Sequence, residues 1–270
     1  MPALHVLSPS RHRHLRWHRY QGYAFAAERS VIGLAAAELA QAALAFPLAF
    51  TQAGAGWSLC ALLGLLPGQN LYVDAQGAWR GAYVPAALRA HPFHLGWDAG
   101  SAATLCVDEA SGLLTPEGGE PLFDDAGGLS EPVAQVWAFL AQTAESILAL
   151  EGACAVLAQA GVLAPWPITL QTQAGAQTVP GLHRLDEAAL NALDAPAFTA
   201  LRRAGALPVA YAQLLAMGNL AALGKLAQAR AEAEAAARAQ ASTPPAPMLF
   251  LPADSSIDWD WSRIGKSGPA

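Results

Sequence analysis

The chain has 270 residues, a formal net charge of −6, an apolar fraction of 54% and only 13% charged residues. That length supports one large core or two closely packed lobes, and the apolar fraction excludes an intrinsically disordered chain. The negative balance offers phosphate backbones no general attraction, so nucleic acid is not an expected partner.

The first thirty residues, opening MPALHVLSPSRHRHLRWHRYQGYAF, are basic and aromatic without clear periodicity and read as extended or irregular. They contain no apolar h-region and no small-residue cleavage site, which predicts a cytoplasmic location and leaves only export independent of a signal peptide open. RHRHLRWHR has the composition of a nucleic-acid-binding arm. The neighbouring YQGYAFA instead predicts that Trp17, Tyr20, Tyr23 and Phe25 pack onto a sheet, with the arginines facing water or carboxylates. GLAAAELAQAALAF (33–46) predicts a short helix stopped by Pro47. The longest apolar region, residues 31–50, is broken by Glu38, Gln41 and Pro47, so no membrane span is expected there or elsewhere.

From Pro47 to Asp125 the runs FPLAFTQ, WSLCALLGL, NLYVD, WRGAYVP, TLCVDE and LFDD, punctuated by Gly, Asn, Asp and Pro, predict an antiparallel sheet. DAQG (74–77) suits a hairpin loop. Residues 79–97, WRGAYVPAALRAHPFHLGW, admit two readings. One is a packed corner, with Arg89 paired to an acidic partner. The other is a ligand or peptide groove with Tyr83, Arg89, His91 and Phe93 as its candidates, because aromatic and arginine anchors suit peptide or carboxylate recognition. Val84 and His91 precede prolines and are therefore expected to be extended, bracketing about one helical turn. Asp108, Glu109, Glu117, Glu120, Asp124 and Asp125 lack the alternation of a calcium loop and are expected at solvated hairpin ends.

At Ser130 the pattern switches. Ser130 suits an N-cap, Glu131 and Pro132 suit a first helical turn, and Gly161 offers a stop. Between them Val133, Val136, Trp137, Leu140, Ile147, Leu148, Cys154 and Leu157 recur at helical spacing and predict a core helix. LAPWPITLQTQ returns to extended chain. Helices are then predicted over 186–193, 195–204 and 208–224, and KLAQARAEAEAAARAQ continues helical with Arg230, Glu234 and Arg238 four residues apart. The organisation expected is one α+β domain over residues 1–241, strand-rich from 47 to 128 and helix-rich from 130 to 240. A small antiparallel sheet in the N-terminal half packs against a mainly helical C-terminal half. Residues 242–270 form a proline-rich linker and flexible tail whose Trp259 and Trp261 are further candidates for partner binding.

Motifs of chemistry are sparse. Cys60, Cys106 and Cys154 are too scattered for a disulfide framework and read as buried free thiols. GKS (265–267) is not a phosphate loop, since Asp260 stands where the upstream glycine belongs, and neither GxSxG nor GxGxxG occurs. His91 and His94 are three apart, but Pro92 keeps them off one helical face and no third ligand is evident, so no metal and no cofactor is expected. A catalytic site would have to be built from His91, His94, Arg89 and Glu38.

Four segments in order across about residues 12–226 resemble the bacterial SapC family, which is distinct from the transport permease of the same name. They are LRWHRYQGYAFAAERSVIGLAAAELAQAALAFPLAF, GLLPGQNLYVDAQGAWRGAYVPAALRAHPF, CVDEASGLL and GLHRLDEAALNALDAPAFTALRRAGALPVAYAQLLAMGNLAAL. Matching positions include Trp17, Glu38, Asn70, Tyr83, Arg89, Phe93, Asp186 and Asn219. The resemblance implies an accessory role near a surface layer, TonB-dependent receptors, or flavin halogenase-like and cupin-like enzymes, and it brings no catalytic residues. The expected function is therefore a non-catalytic binding protein with a protein or peptide partner. The alternatives are an enzyme with an unrecognised site near Tyr83–His94, or a structural surface-layer component.

Overall fold

The computed structural model describes residues 3–97, 103–172 and 175–242. The tail from residue 243, and with it Trp259 and Trp261, lies outside the described residues. The chain divides into two units, residues 1–230 and 231–270. The second contains the end of the helix Leu220–Ser242, where Arg238 Nε donates to the carbonyl of Glu234 at 3.2 Å.

The fold is α+β, with small antiparallel sheets in the N-terminal half and helices dominating the C-terminal half. Its principal sheet has five strands in the spatial order Leu163–Pro165, Leu182–Leu185, Leu48–Ala53, Gly56–Leu62 and Val31–Gly33. The central hairpin follows from its sequence. Ala53 pairs with Gly56 across a two-residue loop, and Gly54 occupies the left-handed region at φ 59°. Phe50 and Leu59, paired across the hairpin, are fully buried. The long helix Glu131–Gln159 packs on Gly56–Leu62 and buries Leu150, Ala153, Cys154 and Leu157. The helix Ala206–Ala216 lies against the long helix and against Leu39–Ala45. Its buried Gln213 donates to the Leu48 carbonyl at 3.1 Å and accepts from the Leu185 amide at 2.9 Å, bonding helix to sheet at both ends of one amide.

A smaller core forms over the sheet Leu4–Val6, Ala103–Asp108 and Phe93–Trp97, with Ala103–Asp108 in the middle. Trp17, Phe93, Leu105, Val107, Leu122 and Val133 fill it, and Trp17 meets Phe93 edge-on with ring centroids 4.9 Å apart. Trp17 itself belongs to a third small sheet, between Leu114–Thr115 and Glu120–Pro121.

Several expectations are corrected. The opening residues are extended, as expected, in the strands Leu4–Val6 and Arg16–Trp17, but a turn of helix, Pro9–His12, stands between them. Residues 33–46 begin as a strand end, Val31–Gly33, and a 3₁₀ turn before the helix Leu39–Ala45. NLYVD and WRGAYVP do not make ladder strands; around the Asp74 loop only Val73 and Trp79 form a bridge. Ser130 sits at the N-terminus of the long helix, but its hydroxyl donates to the Pro121 carbonyl at 2.6 Å instead of capping. Leu148, placed in the apolar stripe by its spacing, is 64% exposed. The stripe is centred instead on Leu150 and Ala153. Cys106 is half-buried, unlike Cys60 and Cys154.

Asp108 and Glu109 are not solvated hairpin ends but the tether of the N-terminal strand. Asp108 Oδ1 accepts from the Ala3 amide at 2.8 Å. Glu109 receives Arg11 Nη2 at 2.8 Å and the fully buried His12 Nε2 at 2.9 Å. The Arg11 guanidinium and the His12 ring hold the Glu109 carboxyl down at about 2.

Glu131–Gln159 and Ala206–Ala239 are long and apolar enough to cross a membrane, which the interrupted region 31–50 is not. In this fold the first presents Leu150, Cys154 and Leu157 to the core and carries exposed Glu131, Glu145 and Glu151. The second buries Val209, Ala210 and Leu223.

Candidate functional site

The four-residue helix Ala86–Arg89, bracketed by Pro85 and Pro92, adjoins two concavities. Ala86 and Arg89 line a recess of about 160 Å³, closed on its far side by Phe139, Gln142 and Thr143 of the long helix. Ala87 and Leu88 line a cleft of about 680 Å³, shared with Phe25, Glu28, Arg29, His91, His94 and Asp108. A cleft of that volume lies within the range of small-molecule and peptide sites; the recess does not.

The recess is organised by one buried carboxylate. Glu38 Oε1 accepts from the Ala35 amide at 2.9 Å; Oε2 accepts from the Ala86 amide at 2.8 Å and the Tyr83 hydroxyl at 3.0 Å. Arg89 Nη2 in turn donates to the Tyr83 hydroxyl, Arg89 Nε donates to the Val84 carbonyl at 2.9 Å, and the guanidinium lies 4.9 Å from the Tyr83 ring centroid. Burial, reinforced by the negative charge of Glu38, raises the Tyr83 phenol above its ordinary range. The acidic partner expected for Arg89 is thus reached through Tyr83 and not directly. These polar groups hold the 3₁₀ turn Ala36–Glu38 against the helix Ala86–Arg89.

The cleft is different in kind. His91 stacks on Phe25 with centroids 3.8 Å apart and planes 10° from parallel, and Tyr20 meets both rings edge-on. His94 follows at the start of the strand Phe93–Trp97. Burial, then neighbouring His94 and Arg29, push the His91 imidazole down to about 4, against the opposing pull of Asp108. Burial and Arg29 lower His94 in the same direction. Both rings are therefore neutral at pH 7. Among the described residues neither ring makes a hydrogen bond, and neither Arg29 nor Glu28 forms an ion pair. No three His, Cys, Asp or Glu side chains gather to hold a metal ion among the described residues.

The predicted candidates are therefore divided. Tyr83 and Arg89 belong to the recess, and His91 belongs to the cleft. Phe93, at 1% exposure, is a core residue packed on Trp17 and reaches neither concavity. The reason is strand alternation: His94 faces the cleft, so Phe93 faces the smaller core. Sequence reasoning missed Arg29 and the floor residue Asp108. Asp108 lies more than a dozen residues from the histidines along the chain, and Arg29 more than sixty, so only the fold unites them. Asn70, Asp186 and Asn219 are structural. Asn70 bonds the Ala26 carbonyl and Tyr72 amide, Asp186 caps the helix Glu187–Asn191, and Asn219 clasps the Ala43 and Phe46 carbonyls.

Fold and site together define an α+β protein with a half-open polar cleft over an aromatic floor. A model of the SapC family matches residues 7–223, and the chain belongs to that family. A search of curated proteins finds no match, and neither does a search of solved structures.

Proposed function

We propose that this SapC-family chain is a non-catalytic binding protein that holds a small ligand or a peptide of a partner protein in the cleft beside Phe25, Arg29, His91 and His94. The observation that carries the reading is the contrast in hydrogen bonding: Glu38, Tyr83 and Arg89 satisfy one another, whereas in the cleft the side chains of Glu28, Arg29, His91 and His94 have no hydrogen-bond or ion-pair partner among the described residues. A catalytic reading has less support. A ring held near pKa 4 is a weak general base at neutral pH, and the Glu38 carboxylate already accepts three hydrogen bonds.

Family membership supports seeking the partner in a surface-layer, TonB-dependent receptor or protein-modification system. The two long apolar helices are read as packing helices of a chain working in the cytoplasm, the first seated on the strand Gly56–Leu62 through Leu150, Cys154 and Leu157. Selection of displayed random peptides against the folded chain tests the binding role. Enrichment that disappears with the double variant Arg29→Ala, His91→Ala is expected. Enrichment indifferent to that variant overturns the assignment of the cleft, as does the absence of both peptide enrichment and any small-ligand binding that depends on Arg29.

A further inference from the structure

The cleft carries both signs of charge, and the charges do not neutralise one another. Arg29 stands near both imidazoles, since its positive charge depresses both, and Asp108 stands near enough to act oppositely on the same two rings. Glu28 also lines the cleft. An arginine and a carboxylate free to meet in a shared cleft ordinarily form an ion pair. Among the described residues, Arg29 pairs with neither Glu28 nor Asp108. Asp108 is anchored from behind, because its Oδ1 takes the amides of Ala3 and Ala110 at 2.8 and 3.1 Å. It therefore cannot swing toward Arg29 without releasing the N-terminal strand. The remaining wall is apolar, made by Phe25, Ala87 and Leu88.

We propose that the cleft binds a small zwitterion, a free α-amino acid or a di- or tripeptide. The ligand carboxylate lies at Arg29 and the N–H edges of His91 and His94, its ammonium at Asp108 and Glu28, and its apolar side chain against Phe25 and Leu88. This rests on the binding reading above and gives it a ligand class. Each ligand charge finds a group whose present environment leaves it unpaired or only partly bonded, which is how a polar site gains orientation as well as affinity. A neutral imidazole is a suitable second donor for a carboxylate, and it becomes a stronger one as the incoming anion draws a proton onto the ring. The charged groups facing the two imidazoles are Arg29, Glu28 and Asp108. Tyr20, which abuts His91, is held un-ionised by burial, its hydroxyl pushed up to about 12.

Calorimetric titration with the twenty free amino acids and with alanyl-phenylalanine tests this. The expected result is saturable binding of at least one of them. Affinity should fall at least tenfold when that ligand is N-acetylated and likewise when it is C-amidated. In Arg29→Ala the penalty for amidation should disappear while the penalty for acetylation remains; in Glu28→Gln the penalty for acetylation should shrink while the penalty for amidation remains. Both positions are exposed and outside the core, so the folded state is retained. Equal affinity for capped and uncapped forms, or loss on capping one end only, overturns the proposal. If no probe binds while peptide selection still depends on Arg29 and His91, the zwitterion is wrong and the binding cleft stands. If both fail, both are wrong.

Discussion

On one side of the helix Ala86–Arg89, an acid, a phenol and a guanidinium form a closed chain of hydrogen bonds. On the other, two imidazoles, an arginine and two carboxylates share a larger space and leave one another largely alone. The recess has the residues usually associated with chemistry, yet its geometry is that of a clamp between two short helical turns. The cleft lacks such a constellation, but it has polar groups without internal partners. Residue type alone is a poor guide to which is the site; what decides is whether the groups are already satisfied.

The comparison breaks first at Glu38. If the recess is a clamp, Glu38→Leu leaves two buried amides and a phenol without their acceptor and should destabilise the chain by about 3 kcal/mol or more, read from urea unfolding. A loss below about 1 kcal/mol would mean the clamp is not holding the fold and would return the recess to consideration as a functional site. Tyr83→Phe removes one link and keeps the ring. A loss of about 1 kcal/mol is expected, with peptide selection unchanged.

The cleft should respond to pH before it responds to mutation. The folded His91 ring has its value near 4, against an ordinary 6.5. Between those values the unfolded chain takes up a proton that the folded ring does not, so stability is full above about pH 6.5, falls as pH falls toward 4, and levels below. His91→Gln should flatten that part of the profile. An unchanged slope would show that the ring is not buried as described. Glu109 acts in a lower window. Its carboxyl is depressed from 4.5 to about 2, so its contribution is lost as pH falls between those values. The smallest effect is expected at Arg29. Arg29→Ala should alter stability by less than about 0.5 kcal/mol, because the side chain is exposed and forms no ion pair among the described residues. A larger loss would make Arg29 part of the fold and erase the contrast with Arg89.

Much of this architecture was legible where the physics is local. Short apolar runs punctuated by turn residues marked Leu48–Ala53 and Gly56–Leu62, although neither strand alternates in burial. A proline in the first turn and Gly161 at the end marked the long helix: Gly161, at φ 69°, follows the C-cap Ala160 as a stop should, whereas the Ser130 side chain caps nothing. The turn between Pro85 and Pro92 followed from proline stereochemistry. What was not legible is non-local. Leu182–Leu185 is inserted between Leu163–Pro165 and Leu48–Ala53, a pairing that spans over 130 residues and leaves no local trace. The same holds for the cleft, which was half visible in the spacing of His91 and His94 and invisible in Arg29 and Asp108. Phe93 was misplaced because an aromatic residue beside two histidines looks like a binding anchor, whereas alternation along a strand sends it to the opposite side.

The pairing of Leu4–Val6 with Cys106–Asp108 sets the order in which the molecule can be made. A chain emerging from the ribosome presents this strand well before its partner and must hold it unpaired until some hundred further residues have appeared, an interval of about 5–20 s at ordinary elongation rates. The tether of His12 and Arg11 to Glu109 waits equally long. The smaller core therefore waits for Asp108 and for Val133, yet it can close before the principal sheet, whose strand Leu182–Leu185 is made later. A nascent chain stalled before Asp108 leaves the pairing edge of Leu4–Val6 open.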